Sequence, residues 1–217
     1  MAERKARADA LRNRETVLAA ADELFARSAS PRSVSMDDIA AAAGVGKGTL
    51  FRRFGDRTGL IRAVFDARIE PLRQAVEEGP APLGPSAAPR ERVPALLDAL
   101  LCFKLDHRHL SLALEEAGSG SPYQGASYAW WHGILRDMLE QGAGTGSGTG
   151  SGAGTGAEAG ATAGPVPDGD FTAHVLLAAT RADLVEHLAG RDGMTPDRLR
   201  AQLAAFVGRV LGEGQRA

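Results

Sequence analysis

Residues 39–54 read Ile39-Ala40-Ala41-Ala42-Ala43-Gly44-Val45-Gly46-Lys47-Gly48-Thr49-Leu50-Phe51-Arg52-Arg53-Phe54. A run of small helix formers stops at a glycine, which accepts the left-handed backbone of a helix end. A second short run then carries three cations. Upstream, Ser35-Met36-Asp37-Asp38 has the pattern of a capping box, in which the Ser35 hydroxyl accepts from the Asp38 N–H at the positive helix end. The spacing predicts a helix over Met36–Ala43, a turn at Gly44 and a second helix over Lys47–Phe54. Small side chains at Ala40–Ala43 permit a close crossing, and Val45 plugs the turn against the first helix. This is the pattern of a helix-turn-helix, whose second helix enters the DNA major groove. Gly46, Gly48 and Thr49 leave that helix's N-terminal backbone open to phosphate. Lys47, Arg52, Arg53 and Arg57 supply charge, and Thr49 can donate to a phosphate or touch a thymine methyl.

Working outward, apolar residues keep helical spacing almost everywhere. Val17, Leu18, Ala21, Leu24 and Phe25 define an amphipathic first helix over about Asp9–Ser28. Asp56 caps a helix whose stripe, from Leu60 and Ile61 to Val76, continues past Pro71, where a kink or a split is expected. Gly79–Pro89 is Pro/Gly/Ala-rich and reads as a loop. Helices follow over about Val93–Asp106, Arg108–Ala117 and Tyr123–Gln141, then Phe171–Ala189 and Pro196–Leu211. Alternating, valine-rich strand patterns are missing. The expected class is all-α, about nine helices in two parts: residues 9–55 and residues 56–217, the second interrupted by a connector at 142–168.

Totals conceal this division. The chain has 217 residues, 44% hydrophobic and 24% charged, with a formal net charge of -2. Through Arg73 there are 14 Lys and Arg against 10 Asp and Glu, whereas the remainder has 11 against 17. A basic front third and an acidic remainder fit a chain that meets an anionic polymer at one end. Of 27 glycines, ten fall between Gly142 and Gly164, alternating with Ala, Ser and Thr, the composition of a flexible connector. That alternation never gives the spacing of a dinucleotide-binding loop over Gly142–Gly156.

Short helix pairs with a glycine turn recur in many all-α proteins; the full string is more specific. With Leu24-Phe25 and Val34-Ser35-Met36 before it, the stretch Ile39–Phe54 resembles the N-terminal signature of the TetR family of bacterial transcriptional regulators, over about residues 14–65. The resemblance implies a three-helix DNA-binding domain, a connecting fourth helix, and a helical C-terminal domain that binds an effector and dimerises. It puts Lys47, Gly48, Thr49, Phe51 and Arg53 on recognition-helix positions that usually face DNA, and Arg57 on a basic position that usually contacts phosphate. Two residues depart from the family pattern. Gly46 stands where Ser or Thr is common, so the recognition helix lacks a side-chain cap, and Phe51 stands where Tyr is common, so one hydroxyl contact is lost.

For the C-terminal part no subfamily resemblance guides the reading. The apolar stripes of the last two helices are wide enough to pair with their symmetry mates in a four-helix bundle, the alternative being burial within their own domain. A dimer would hold two recognition helices one turn of DNA apart, roughly 34–36 Å, to read a palindrome. For an effector pocket, Tyr123, Tyr128, Trp130, Trp131 and His132 concentrate both tryptophans and both tyrosines, and Phe103, Leu135 and Met138 can complete an apolar lining. Adjacent Trp130 and Trp131 cannot face the same way, so at least one is expected to pack in the core.

Other chemistry is not expected. His107 and His109 lie two apart on a helix and point away from each other, so with Glu115, Glu116 and His132 they make a poor metal site, and none is expected. The single cysteine, Cys102, has no resolving partner and reads as a small buried apolar residue. Gly46-Lys47 lacks the upstream glycine of a phosphate loop, since Ala41 sits there. Ser119 and Ser121 lie in turn chemistry, not a nucleophile elbow. The N-terminus has no apolar core of a signal peptide, and no membrane helix is expected. The reading is a cytoplasmic, non-enzymatic, cofactor-free regulator: a dimeric repressor that binds a palindromic double-stranded DNA operator and leaves it when a small-molecule effector binds. An activator, a ligand-independent DNA-binding protein, and a helical binding protein with a vestigial helix-turn-helix remain open alternatives.

Overall fold

The computed structural model describes residues 2–28, 33–117, 123, 125–144, 168–191 and 193–212, and every regular element among them is helical. In chain order these are α1 (Ala2–Arg27), α2 (Met36–Ala42), α3 (Lys47–Phe54), α4 (Arg57–Glu78), α5 (Pro89–Asp106), α6 (Arg108–Ala117), α7 (Ala126–Gly144), α8 (Gly169–Ala178), α9 (Ala182–Glu186) and α10 (Pro196–Val210). A π-helical turn, His187–Arg191, continues α9. The expected connector lies almost entirely outside the described residues.

Local chemistry sets the first four helices. The capping box forms as read: the Ser35 side chain accepts from the Asp38 N–H at 3.1 Å while the Ser35 N–H donates back to the Asp38 carboxylate at 3.0 Å. At the other end of α2, Gly44 takes φ +65°. The Val45 N–H reaches the Ala40 carbonyl at 3.0 Å and the Gly44 N–H reaches Ala41 at 3.2 Å, the crossed pair of bonds of a Schellman ending. Asp56 caps α4 through the Gly59 N–H at 2.8 Å.

Gly59 has a second role that the sequence did not disclose. A Cβ there would stand 2.1 Å from the Phe54 carbonyl oxygen, so only glycine lets the end of α3 come this close to the first turn of α4. α4 runs as one helix through Pro71, not split there. Pro71 is exposed, so water can satisfy the carbonyl that loses its intrahelical donor.

α1 packs on α4, α2 and α6, α4 on α6, α5 on α10 and α7, and α7 on α8. A single hydrophobic core runs from Val17 and Phe25 through Leu60, Leu97, Leu110 and Leu135 to Leu176 and Val207. Several boundaries differ from the sequence reading, among them α7, which spans Ala126–Gly144 instead of Tyr123–Gln141. α1 starts at Ala2 instead of Asp9, and α5 starts at Pro89, a residue suited to the first helical position because its missing N–H has no partner there. The expected helix over Phe171–Ala189 is interrupted at Thr180: this buried residue turns its hydroxyl onto the Leu177 carbonyl at 3.0 Å, and Arg181 resumes as an extended N-cap of α9. Such back-bonding competes with the helix ladder. None of the described helices is long and apolar enough to cross a membrane.

Candidate nucleic-acid interface

α3 is anchored by one side chain and held in place by two cations. Leu50, its single buried residue, is 1% exposed. Lys47 Nζ pairs with the Asp37 carboxylate at 2.7 Å, tying the start of α3 to the start of α2, and lies 5.9 Å above the Phe51 ring. Arg53 donates to the Ala10 carbonyl at 2.7 Å, tying the end of α3 to α1. Among the described residues Arg52 makes no hydrogen bond or ion pair, and it is exposed. Gly48, Thr49 and Phe51 are also exposed, Phe51 at 40%, an unusual place for an aromatic ring. At Gly46, the N-cap, no side chain caps the helix, as the sequence indicates. Thus Lys47, Gly48, Thr49, Phe51 and Arg52 share an accessible surface whose backbone is held by α1 and α2.

Arg57 differs from these. It is half-buried, donates to the Val34 carbonyl at 3.1 Å, and places its guanidinium 5.5 Å from the Phe25 ring. In this conformation it fastens α4 to the segment entering α2 and to α1.

The aromatic helix separates into two groups. Trp131, Leu135 and Met138 are core, and Phe103 packs edge-on against Phe65 at 5.2 Å. Trp130 lies edge-on to Trp131 at 4.5 Å, and the Arg73 guanidinium sits 5.4 Å from the Trp130 ring and donates to the Ser127 hydroxyl at 2.6 Å. Adjacent tryptophans on one helix therefore meet through their edges, one of them buried. Tyr123 precedes α7 and meets Tyr128 edge-on at 5.2 Å. Tyr128 and His132 gather around His174 of α8, a residue absent from the sequence-based set. Asp170 and His174, four apart, mark one face of α8 at helical spacing; their partner on α7 lies 38 to 42 residues away and had no local signal. Two open clefts, about 460 Å³ lined by Asp183, Glu186, His187 and Gly190, and about 180 Å³ between α1 and α4, do not include the aromatic set.

His107 and His109 are 6.4 Å apart between ring centroids; His109 faces Asp22 of α1 at 3.4 Å, and Asp22 also pairs with Arg68 of α4 at 2.5 Å. Burial lowers the His107 pKa, with Arg68 and His109 adding to the shift and Asp22 and Asp106 opposing it. Cys102 is half-buried, not the fully buried residue expected, and burial raises its thiol pKa, with Asp98 adding to the shift.

A Schellman turn between two short helices, a buried leucine anchor and an accessible basic face define a helix-turn-helix protein of the all-α class. Residues 17–64 match the family model described as bacterial regulatory proteins, tetR family. An HTH-type transcriptional regulator of Staphylococcus aureus (strain MRSA252) is 33% identical over 76 residues, which is 35% of this chain and 40% of that protein. The chain thus spans about two fifths of that relative's length. Over nearly the whole chain, the fold is similar to the crystal structure of a TetR-family transcriptional regulator from Rhodococcus sp. (TM-score 0.63, 22% identity, 92% of this chain and 99% of that one). It is also similar to Thermus thermophilus FadR, a TetR-family transcriptional repressor solved in complex with lauroyl-CoA (TM-score 0.60, 19% identity, 94% and 95%). The helix-turn-helix thus matches the tetR family model over residues 17–64, and the fold of nearly the whole chain is similar to that of solved TetR-family regulators.

Proposed function

We propose that the chain is a DNA-binding transcriptional regulator that represses as a dimer: α3 of each copy enters the major groove of a palindromic operator, and a small-molecule effector releases it. The carrying observation is the accessible face of α3, where Lys47, Gly48, Thr49, Phe51 and Arg52 project from a backbone fixed by Leu50 and by the Arg53 bond to α1. Exposed Phe171, Val175, Leu184 and Val210 on α8, α9 and α10 support pairing with a second copy. The lauroyl-CoA complex of the Thermus repressor supports an effector within this fold. Phe103, Tyr123, Tyr128, Trp130, Trp131, His132 and Leu135 are the proposed lining, and since Phe103, Trp131 and Leu135 are core, entry there requires α7 to move from α5 and α8. Arg57 is the proposed coupling: its bond to Val34 makes any shift of α4 a shift of the segment leading to α2. For release, the effector must bind the non-DNA conformation better by a coupling energy of about 1–3 kcal/mol.

Selection of sites from random DNA with purified protein tests the reading. A palindrome with half-sites one helical turn apart is expected, and its affinity falls with salt. Arg52→Ala should lower the log–log salt slope by about one and leave thermal stability unchanged. Absence of an enriched sequence together with a flat salt response would overturn the proposal.

A further inference from the structure

His132 on α7 and Asp170 and His174 on α8 converge so that one ligand atom from each lies within 4.8 Å of the other two. His132 Nε2 stands 3.5 Å from one Asp170 carboxylate oxygen, and His174 Nε2 stands 3.9 Å from the other. These separations are too long for good hydrogen bonds. Donor atoms that share a tetrahedral ion with bonds of about 2.0–2.1 Å stand roughly 3.3 Å apart, so the 3.5 Å pair is close to that spacing and the pair to the second oxygen must shorten to reach it. The two imidazole rings stack at 3.9 Å between centroids with a 28° tilt.

The other nitrogen of His174 is engaged as well. Tyr128 Oη and His174 Nδ1 are 2.5 Å apart, a hydrogen bond that fixes the ring's orientation and leaves Nε2 toward Asp170. Metal-bound histidines are held in this way by a partner on the second ring nitrogen. His132 Nε2 also lies 3.2 Å from the Asp170 backbone carbonyl. The site is asymmetric in burial: the His132 side chain is 12% exposed, whereas His174 and Asp170 are 44% and 58% exposed. Asp170, the most exposed of the three, can close the remaining distance around the two histidines by rotating about its side-chain torsions. Arg136, a cation near Asp170, pairs with Asp137 at 2.9 Å and Glu140 at 3.7 Å.

From this geometry we infer that His132, Asp170 and His174 form a site for one borderline transition-metal dication that clips α7 to α8. Two imidazoles and one carboxylate select zinc, nickel or copper over magnesium and calcium, which take all-oxygen shells. Three protein ligands leave a further coordination position for a small exogenous ligand. The clip joins the two helices that flank the glycine-rich segment, and α8 also carries the exposed Phe171 and Val175. The inference is independent of the proposed DNA reading, because metal binding is measured without DNA.

The test uses the full, untagged chain freed of metal with chelator, titrated with Zn²⁺ against a chromophoric competitor and with Co²⁺ for its visible absorption. One Zn²⁺ per chain and the Co²⁺ bands of a low-coordinate site are expected. Asp170→Asn and His174→Gln, both at exposed side chains, should weaken Zn²⁺ at least 100-fold while far-UV circular dichroism stays unchanged. Tyr128→Phe should weaken it by about 10–100-fold, the usual effect of losing a histidine's outer partner. A double variant at His107 and His109 should bind like the parent. Either failure to bind one Zn²⁺ per chain, or binding within a few-fold of the parent in folded His174→Gln, would overturn the site.

Discussion

The helix-turn-helix and the α5–α10 body are built by interactions of different range. Between Ser35 and Gly59 nearly every turn is closed by residues three to five apart: the capping box, the Schellman bonds and the Asp56 cap. In the body, partners come from far along the chain. Tyr128 meets His174 across 46 residues, Arg108 meets Glu186 across 78, and Arg200 meets Asp98 across 102. Short-range closure fixes a small domain's geometry with few buried side chains, whereas the body depends on packing among distant helices. The two should therefore fail separately.

Truncating one core residue in each region gives the largest test of that separation. Leu50 is the sole buried residue of α3, and Leu176 is fully buried where α8 faces the core. Either change to alanine should cost about 2–5 kcal/mol. Leu50→Ala should strip hydrogen-exchange protection from α2 and α3 and abolish DNA binding, with α5 and α7 still protected. Leu176→Ala should expose α7 and α8 first and leave α2 and α3 protected. Loss of protection across the whole chain in both variants would show one cooperative unit instead of two.

Next in size are the glycines on which the short-range geometry depends. Gly44→Ala places a Cβ on a left-handed backbone at φ +65°, a strain of about 1–2 kcal/mol. Gly59→Ala drives a Cβ into the Phe54 carbonyl, so α3 and α4 must separate. Both should lower the melting temperature and weaken DNA binding, and Gly59→Ala should weaken binding more than its stability loss explains, because it re-aims α3. Equal ratios of affinity loss to stability loss in the two variants would show that α3 is not re-aimed.

These positions also show what the sequence could reveal. Ser35, Gly44, Gly46 and Asp56 were readable because each acts on backbone within a few residues, and the helical register of Leu60 and Ile61 placed them correctly in the core. Gly59 was not readable, since its constraint is a carbonyl of the preceding helix and not its own φ. In the body, periodicity located the helices but could not pair them. Thr180 interrupts a good apolar stripe through its own hydroxyl, and His132 reads as an aromatic-helix residue until α8 brings Asp170 and His174 beside it.

The junction between the two regions should respond to acid. His107 ends α5, packs 4.8 Å from the Phe103 ring, and has its pKa lowered by burial from the ordinary value of 6.5. The unfolded chain then binds this proton at higher pH than the folded one, so stability is full above about pH 6.5 and falls as pH drops through that value toward the folded pKa. Melting curves between about pH 5 and 8 should show His107→Gln losing less stability on acidification than the parent. Parallel pH profiles for the two proteins would sink this assignment. Because His109 and Arg68 share Asp22 of α1 nearby, the acid loss should appear first as weakened protection where α1 meets α6.

The smallest expected effect tests how local the reader's stability is. Gly46 caps α3 without a side chain, and a Cβ there would meet nothing nearer than Thr49 Oγ1 at 3.9 Å. Its backbone is already extended, at φ -69° and ψ 138°, the conformation of a serine N-cap. The hydroxyl of Gly46→Ser can therefore accept from the Thr49 N–H, as Ser35 accepts from Asp38 at the start of α2. The gain should be a few tenths of a kcal/mol, because glycine is itself a fair cap. It should appear as slower hydrogen exchange at the first amides of α3, with α7 and α8 unchanged. A comparable slowing in the body would mean that α3 and α8 open together, and the division by range of contact would then fail.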